Sequence, residues 1–201
     1  MTLFCEDRGH ELLVRRLVER LARERSMALS LDTKSARGGA ARALTELEGW
    51  QQGLRTGRLS GTPDLLVVVI DGNCMGHPAK QREIRALVDN AVFPRLVIGC
   101  PDPHVERWLI ADASAFHRVV GVGCPRDPDK CERDRYKQLV GEAVAGSAVV
   151  LLTGVMELAP DLVDAMDLYV AGSCQPSLRA FVDDLNAGLT QLATKVAADT
   201  A

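Results

Sequence analysis

Aromatic side chains are scarce in this chain, at 4% of 201 residues. Its core must therefore be built mainly from Leu, Val and Ala, which favours helices packed on a sheet over a β-sandwich. Long apolar runs are missing as well. The clearest, Leu65 to Ile70, is far too short to span a membrane, so no membrane partner is expected. Charge arrives at Glu6-Asp7-Arg8 before any apolar run could form a signal peptide. The six cysteines (Cys5, Cys74, Cys100, Cys124, Cys131 and Cys174) contain no C-x-x-C pair, and the gap between Cys124 and Cys131 fits no zinc knuckle. Reduced thiols in a cytoplasmic protein are the expectation, and a disulfide framework is not. The P-loop pattern G-x-x-x-x-G-K-S/T is absent, so the chain is not itself a P-loop ATPase. Neither a G-x-S-x-G elbow nor an H-E-x-x-H pair occurs, which removes the common hydrolase alternatives. Basic stretches are lacking too: the formal net charge is −3 and the Lys and Arg residues are scattered. That argues against a dedicated nucleic-acid-binding module, but not against an enzyme that takes its phosphate contacts from a metal and a few cations.

What remains is an ordinary globular balance, 47% hydrophobic and 25% charged, in a length that suits one core with a small helical appendage. The first half alternates. Leu3 to Cys5 reads as a short strand, followed by Leu12, Leu13, Leu17 and Leu21 at helical spacing. Met27 to Leu31 reads as a second strand, and Gly38-Gly39 precedes a helix carrying Ala43, Leu44, Leu47 and Trp50. The uninterrupted Leu65 to Ile70 run suits a strand covered on both faces. A helix from about Ala79 to Asn90 and a strand at Leu96 to Cys100 complete a βαβαβαβ order, hence a mostly parallel sheet. After Pro101 the pattern turns helical: short helices around Ala111-Asp112, a charged loop over Gly121 to Lys137, helices at Tyr136 to Ala145 and Leu158 to Tyr169, and a last one from near Pro176. Ala148 to Leu152 fits either a fifth strand or a buried helix. The histidines His10, His77 and His117 share no obvious face and are placed at the surface by default.

In open parallel sheets, ligands collect beyond the carboxyl ends of the strands. Here the first strand ends at Glu6, with Asp7 and Glu11 close behind. The central strand ends at Asp71-Gly72-Asn73. The fourth ends at Cys100-Pro101-Asp102-Pro103, followed by His104 and Glu106. Acidic groups gathered at one edge repel one another unless a cation compensates, and Mg²⁺ or Mn²⁺ takes oxygen ligands of this kind. Asp71 and Asn73 are separated by one glycine, whose freedom would let both side chains face one ion.

The run Cys5-Glu6-Asp7-Arg8-Gly9-His10-Glu11 and the triplet Asp71-Gly72-Asn73 resemble the Toprim family, whose pattern is a glutamate after the first strand and D-x-D after a later one. Pro101 to Asp112, with a glutamate before Trp108 and an aspartate after it, resembles a stretch in Toprim-like bacterial proteins distantly similar to OLD-type nucleases. The resemblance covers residues 1–112 as a Toprim-like α/β core, with 113–201 as a helical extension packed on it. Two positions depart from the pattern: Asp7 stands where the family has glycine, and Asn73 replaces the second carboxylate, which weakens a second metal. The resemblance implies a Toprim-like or Rossmann-like sheet of four strands (five if Ala148 to Leu152 adds one). It also implies metal-dependent phosphodiester hydrolysis of a nucleic acid, as in phage-defence or mobile-element nucleases, with a separately encoded ATPase as partner. Glu6, Asp71, Asn73 and Glu106 would be the metal ligands. Glu6 and Glu106 would also serve catalysis, with Lys137, Lys130 or Arg107 offsetting phosphate charge, and Glu11, His104 and Asp112 standing behind the ligands. Two other readings stay open. One is a non-catalytic Toprim-like module binding a partner or nucleotide. The other is a flavodoxin-like or Rossmann-like small-molecule binder, which has only Gly9 in place of a glycine-rich phosphate loop.

Overall fold

A computed structural model describes residues 1–127, 129, 131–132 and 134–199, with side chains described to residue 195. Four parallel strands form one sheet: β1 (Thr2–Cys5), β2 (Asp32–Ser35), β3 (Leu66–Val69) and β4 (Leu96–Gly99), in the order β2-β1-β3-β4. Thr2 pairs with Asp32 on one side and Leu66 on the other, and Leu66 pairs with Leu96. The crossovers are α1 (Arg8–Glu24), α2 (Ala40–Arg55) and α3 (His77–Leu87). From β1 the chain steps outward to β2, then returns across β1 to build β3 and β4. The order thus reverses between β1 and β3, and the crevice at their carboxyl ends is the natural ligand site of such a sheet.

Both faces of the sheet are buried over β1, β3 and most of β4, and these strands show it by period-two alternation. Leu3, Cys5, Val67, Val69 and Val97 face one hydrophobic cluster, which includes Leu13, Leu17, Trp108, Phe116, Phe181 and Leu189. Phe4, Leu66, Val68, Ile70 and Ile98 face the other, with Leu47, Ile84 and Phe93. Beyond β4 the chain is helical: α4 (Glu106–Leu109), α5 (Ala113–Val120), α6 (Arg135–Ala145), a 3₁₀ turn (Val155–Leu158), α7 (Ala159–Ala165), α8 (Leu168–Cys174) and α9 (Pro176–Asp199). The long C-terminal helix α9 lies directly on β4. A Cβ on Gly188 would come within 2.9 Å of Val97, so only glycine permits that approach. Trp108 closes this layer from within, fully buried, stacked on Phe181 and donating from Nε1 to Ser177 Oγ at 2.9 Å.

Three elements differ from the pattern reading. The second strand is Asp32–Ser35 rather than Met27 to Leu31. It is a polar edge strand, held by its ladder to β1, and Lys34 lies over the Trp50 ring; charged residues are typical of such edges. Met27, Leu29 and Leu31 instead pack, partly buried, against the first cluster as the connection arrives. Ala148 to Leu152 is neither strand nor helix. It runs over the surface with Val150 80% and Leu152 87% exposed, its backbone amides at Leu152 and Thr153 capped by the Glu157 carboxylate. The Leu158 to Tyr169 helix is broken into α7 and α8, because Asp167 caps α8 by accepting from the amides of Tyr169 and Val170. Among the described residues no helix is long and apolar enough to cross a membrane.

Candidate metal centre

Glu6 follows β1 and Asp71 follows β3, so adjacent parallel strands deliver both carboxylates to the crevice where strand order reverses. The two are joined directly. The Asp71 amide donates to Glu6 Oε2 at 3.0 Å, which locks the Glu6 side chain against β3. Asp7, extended at φ −154°, caps α1 by accepting from the His10 amide at 3.0 Å. In the first turn of α1, His10 is 1% exposed and sits between two carboxylates. Its Nδ1 lies 2.8 Å from Asp7 Oδ1 and its Nε2 lies 2.8 Å from Asp71 Oδ1. The second Asp71 oxygen is 3.1 Å from His104 Nδ1. A chain Asp7–His10–Asp71–His104 therefore runs beneath the crevice.

Electrostatics follow from this geometry. Burial opposes charge on His10, but the flanking Asp71 and Asp7 carboxylates outweigh it and raise its pKa well above the ordinary histidine value. Burial likewise opposes ionisation of Asp71, and His10 and His104 overcome it, holding Asp71 below the usual carboxylate range. Asp7 is also desolvated, yet the bonds from His10 bring it down to about 2. His104 is raised, chiefly by its bond to Asp71. Glu6 goes the other way, lifted by burial and then by the nearby Asp71 charge. Glu106 is lifted by burial too, with Asp71 adding to it. The crevice thus contains two carboxylates that resist ionisation unless a cation arrives, beside one held ionised by imidazoles.

Glu6, His10 and Asp71 form a buried cluster capable of coordinating a divalent cation, each offering a ligand atom, all within 4.8 Å of one another. Were His10 itself a ligand, the mixed carboxylate and imidazole donor set would suit Mn²⁺, Fe²⁺ or Zn²⁺ better than Mg²⁺, which prefers oxygen alone. Both His10 nitrogens are already engaged by carboxylates, so in this arrangement His10 itself supplies the compensating positive charge and orients Asp71. The cluster opens onto a cavity of about 550 Å³, whose walls include Asn73, His104, Glu106 and Lys137. A smaller cavity of about 260 Å³ shares Asp7, Glu106 and Lys137 and continues toward Arg8 and Gly154.

The structure thus brings Glu6, Asp71, Asn73, His104, Glu106 and Lys137 to one cavity. Glu11 and Asp112 are committed elsewhere. Glu11 faces β2, accepting from Ser35 Oγ at 2.8 Å. Asp112 caps α5 through the amides of Ser114 and Ala115, and its other oxygen accepts from the Asp167 amide at 2.8 Å, tying α5 to the start of α8. Arg107 is bound to Asp127, Asp129 and the Asp102 carbonyl, away from the crevice. Lys130 lies outside the described residues. Gly72 is small for a reason other than turning: a Cβ there would meet Asp102 Oδ1 at 2.8 Å. The left-handed backbone falls instead on Asn73 (φ 46°) and Cys74 (φ 70°). His104 is a partner of Asp71 through Nδ1.

Sequence reading missed His10 and placed it at the surface. A signal was present: positions 10, 13, 14, 17, 18 and 21 are one buried stripe of α1, so His10 is a polar residue on an apolar face, where burial demands partners. The expectation of reduced thiols also fails at one pair, because Cys74 and Cys131 are joined as a disulfide at the rim of the cavity. No protein-family model matches the chain, and neither a curated protein nor a solved structure matches it.

Proposed function

We propose that the chain is a divalent-metal-dependent phosphodiesterase, a Toprim-like nuclease whose substrate is a nucleic acid. The observation that carries this reading is the juxtaposition of Glu6 and Asp71, with His10 behind them, at the crevice where strand order reverses. A divalent cation bound there, Mg²⁺ or Mn²⁺, would supply polarisation of a phosphoryl oxygen and a water of lowered pKa. Glu6 and Asp71 would hold it, with the side-chain oxygen of Asn73 completing the set from the cavity wall. His10 keeps Asp71 ionised and correctly turned, as outer partners of ligands generally do. Glu106, whose pKa is raised by burial, would take the proton of the attacking water as the new P–O bond forms, the leaving oxygen taking its proton from solvent as the old one breaks. Lys137 would offset charge on the phosphate. A separately encoded ATPase as partner, and a role in phage defence or in mobile elements, follow from the Toprim resemblance alone.

The test is incubation of the purified protein with single- and double-stranded DNA and RNA, with Mn²⁺, with Mg²⁺ and with a chelator. Cleavage that depends on Mg²⁺ or Mn²⁺ and is abolished by Asp71→Ala is the expected result. Cleavage of none of the four substrates, or cleavage untouched by Asp71→Ala, sinks the reading. A second reading, a non-catalytic module that binds a partner or a nucleotide, is favoured by Asn73, which brings no charge where the family has a second carboxylate. Metal binding without turnover, combined with stable capture of a nucleotide, would select it.

A further inference from the structure

We propose that Cys74 and Cys131 are a reversible redox tie that sets the metal affinity of the crevice, the oxidised form holding Asn73 in position and the reduced form releasing it. The affinity part of this inference rests on the metal reading above; the tie itself does not.

The two cysteines are 57 residues apart in sequence and their Cα atoms are 5.8 Å apart, inside the range that a disulfide spans without backbone movement. They come from different walls of one cavity. Cys74 directly follows Asp71-Gly72-Asn73. Both Asn73 and Cys74 adopt left-handed backbone, which costs energy for residues other than glycine and persists only when the surroundings enforce it. Hydrogen bonds hold this turn: the Gly72 amide to the Pro101 carbonyl at 2.6 Å, the Asn73 amide to the Pro103 carbonyl at 3.0 Å, Asn73 Nδ2 to the Asp71 carbonyl at 3.4 Å and the Met75 amide to the Gly72 carbonyl at 2.9 Å. Cys131 belongs to the connection between α5 and α6. That connection is anchored at Asp127, which accepts from Arg107, from Tyr136 Oη at 2.8 Å and from Gln175 at 2.8 Å. The disulfide is thus a second fastening, four residues on, that pins the connection to the turn carrying Asn73.

Selectivity for this pair follows from pairing and from the surroundings of the other thiols: Cys174 is exposed but free, so only Cys74 and Cys131 close a disulfide within the chain. Cys5 is buried and its thiol is pushed far up by desolvation, and Cys100 is pushed up to about 12 for the same reason. Cys124 is partly buried and raised to about 11. Cys74 and Cys131 are both at the surface, where a small oxidant or reductant reaches them. The chemistry balances by thiol–disulfide exchange. One cysteine thiolate attacks a low-molecular-weight disulfide and releases one small thiol. The second cysteine then attacks the mixed disulfide and releases the other, so two protein thiols are oxidised as the small disulfide is reduced to two thiols. An excess of small thiol runs the sequence backwards.

The experiment equilibrates the full chain in oxidised and in reduced glutathione and makes three measurements on each form. These are thiols after denaturation, Mn²⁺ affinity by calorimetry, and the rate of tryptic cleavage between Arg126 and Arg135. The wild type is expected to show four thiols oxidised and six reduced, with cleavage roughly tenfold slower and Mn²⁺ bound roughly tenfold tighter when oxidised. Cys131→Ser, a change at an exposed position, has five thiols when reduced and should match the reduced wild type in cleavage rate and Mn²⁺ affinity in both buffers. Six thiols throughout, or a Cys131→Ser protein that follows the wild type's response to oxidation, overturns the tie. Equal Mn²⁺ affinity in the two forms, with the thiol count and cleavage changing as expected, overturns the control of the metal. If neither form binds Mn²⁺, the metal reading of the crevice falls and with it the affinity control, while thiol count and cleavage still decide the tie.

Discussion

His10 and Asp71 are 61 residues apart in the chain, yet His10 Nε2 and Asp71 Oδ1 stand 2.8 Å apart, both side chains buried. That contact joins the first helix to the end of the central strand, and it decides the charge state of the crevice. Replacing His10 by Gln removes the compensating cation and loosens the orientation of Asp71. The expected consequence is Mn²⁺ binding weakened by roughly 10–100-fold, the usual cost of losing an outer partner of a ligand. Calorimetric titration of the folded variant checks it.

The same contact predicts a pH dependence of stability. A histidine whose folded pKa is raised stabilises the fold fully below its unfolded value of about 6.5, and loses that contribution as pH rises through the folded value. Asp7 and Asp71 are depressed, so their contribution is present above about 3.8 and is lost as pH falls, toward about 2 for Asp7. The stability difference between wild type and His10→Gln should therefore be largest between about pH 4 and 6.5. It should narrow on both sides of that window. Urea unfolding of both proteins across pH 3 to 10, with chelator present, measures it.

Asp112 separates a structural role from one at the metal. It caps α5 and holds the Asp167 amide, so Asp112→Ala should cost about 1–2 kcal/mol of stability through lost caps. Mn²⁺ affinity should be unchanged. Denaturant midpoints and calorimetry on one preparation give both numbers.

Gly72→Ala introduces a methyl into the Asp102 carboxylate, 2.8 Å from Oδ1 and 3.1 Å from Cβ and Cγ. Overpacking of this kind typically costs about 1–3 kcal/mol. Because the adjoining turn carries Asn73, metal affinity should fall alongside stability. Gly57→Ala, at a glycine whose added methyl meets nothing within 4 Å but whose backbone is left-handed, should lose stability alone.

Much of this arrangement is legible in the sequence, and the exceptions have physical causes. The run Leu65 to Ile70 announces a central buried strand because both faces of it are covered, and strand-end logic then points to Glu6 and Asp71. Asp32–Ser35 hides because an edge strand can be held by backbone ladder bonds alone, leaving no apolar pattern to detect. His10 hides because its neighbours Arg8, Glu11 and Arg15 make the start of α1 look solvated, although its place in the buried stripe was there to be found. The pairing of Cys74 with Cys131 depends on how the α5–α6 connection returns to the β3–α3 turn, and no local spacing encodes that.

The central claim is that Glu6 and Asp71 build a cation site at the crevice between β1 and β3. Titration of chelator-stripped protein with MnCl₂, comparing wild type with Asp71→Asn, tests it most directly, circular dichroism having shown both to be folded. The account predicts one saturable site in the wild type, and in the variant an affinity lower by more than the roughly 10–100-fold that an outer partner costs. A wild type that shows no saturable Mn²⁺ binding, or a variant that binds as tightly as the wild type, would contradict it.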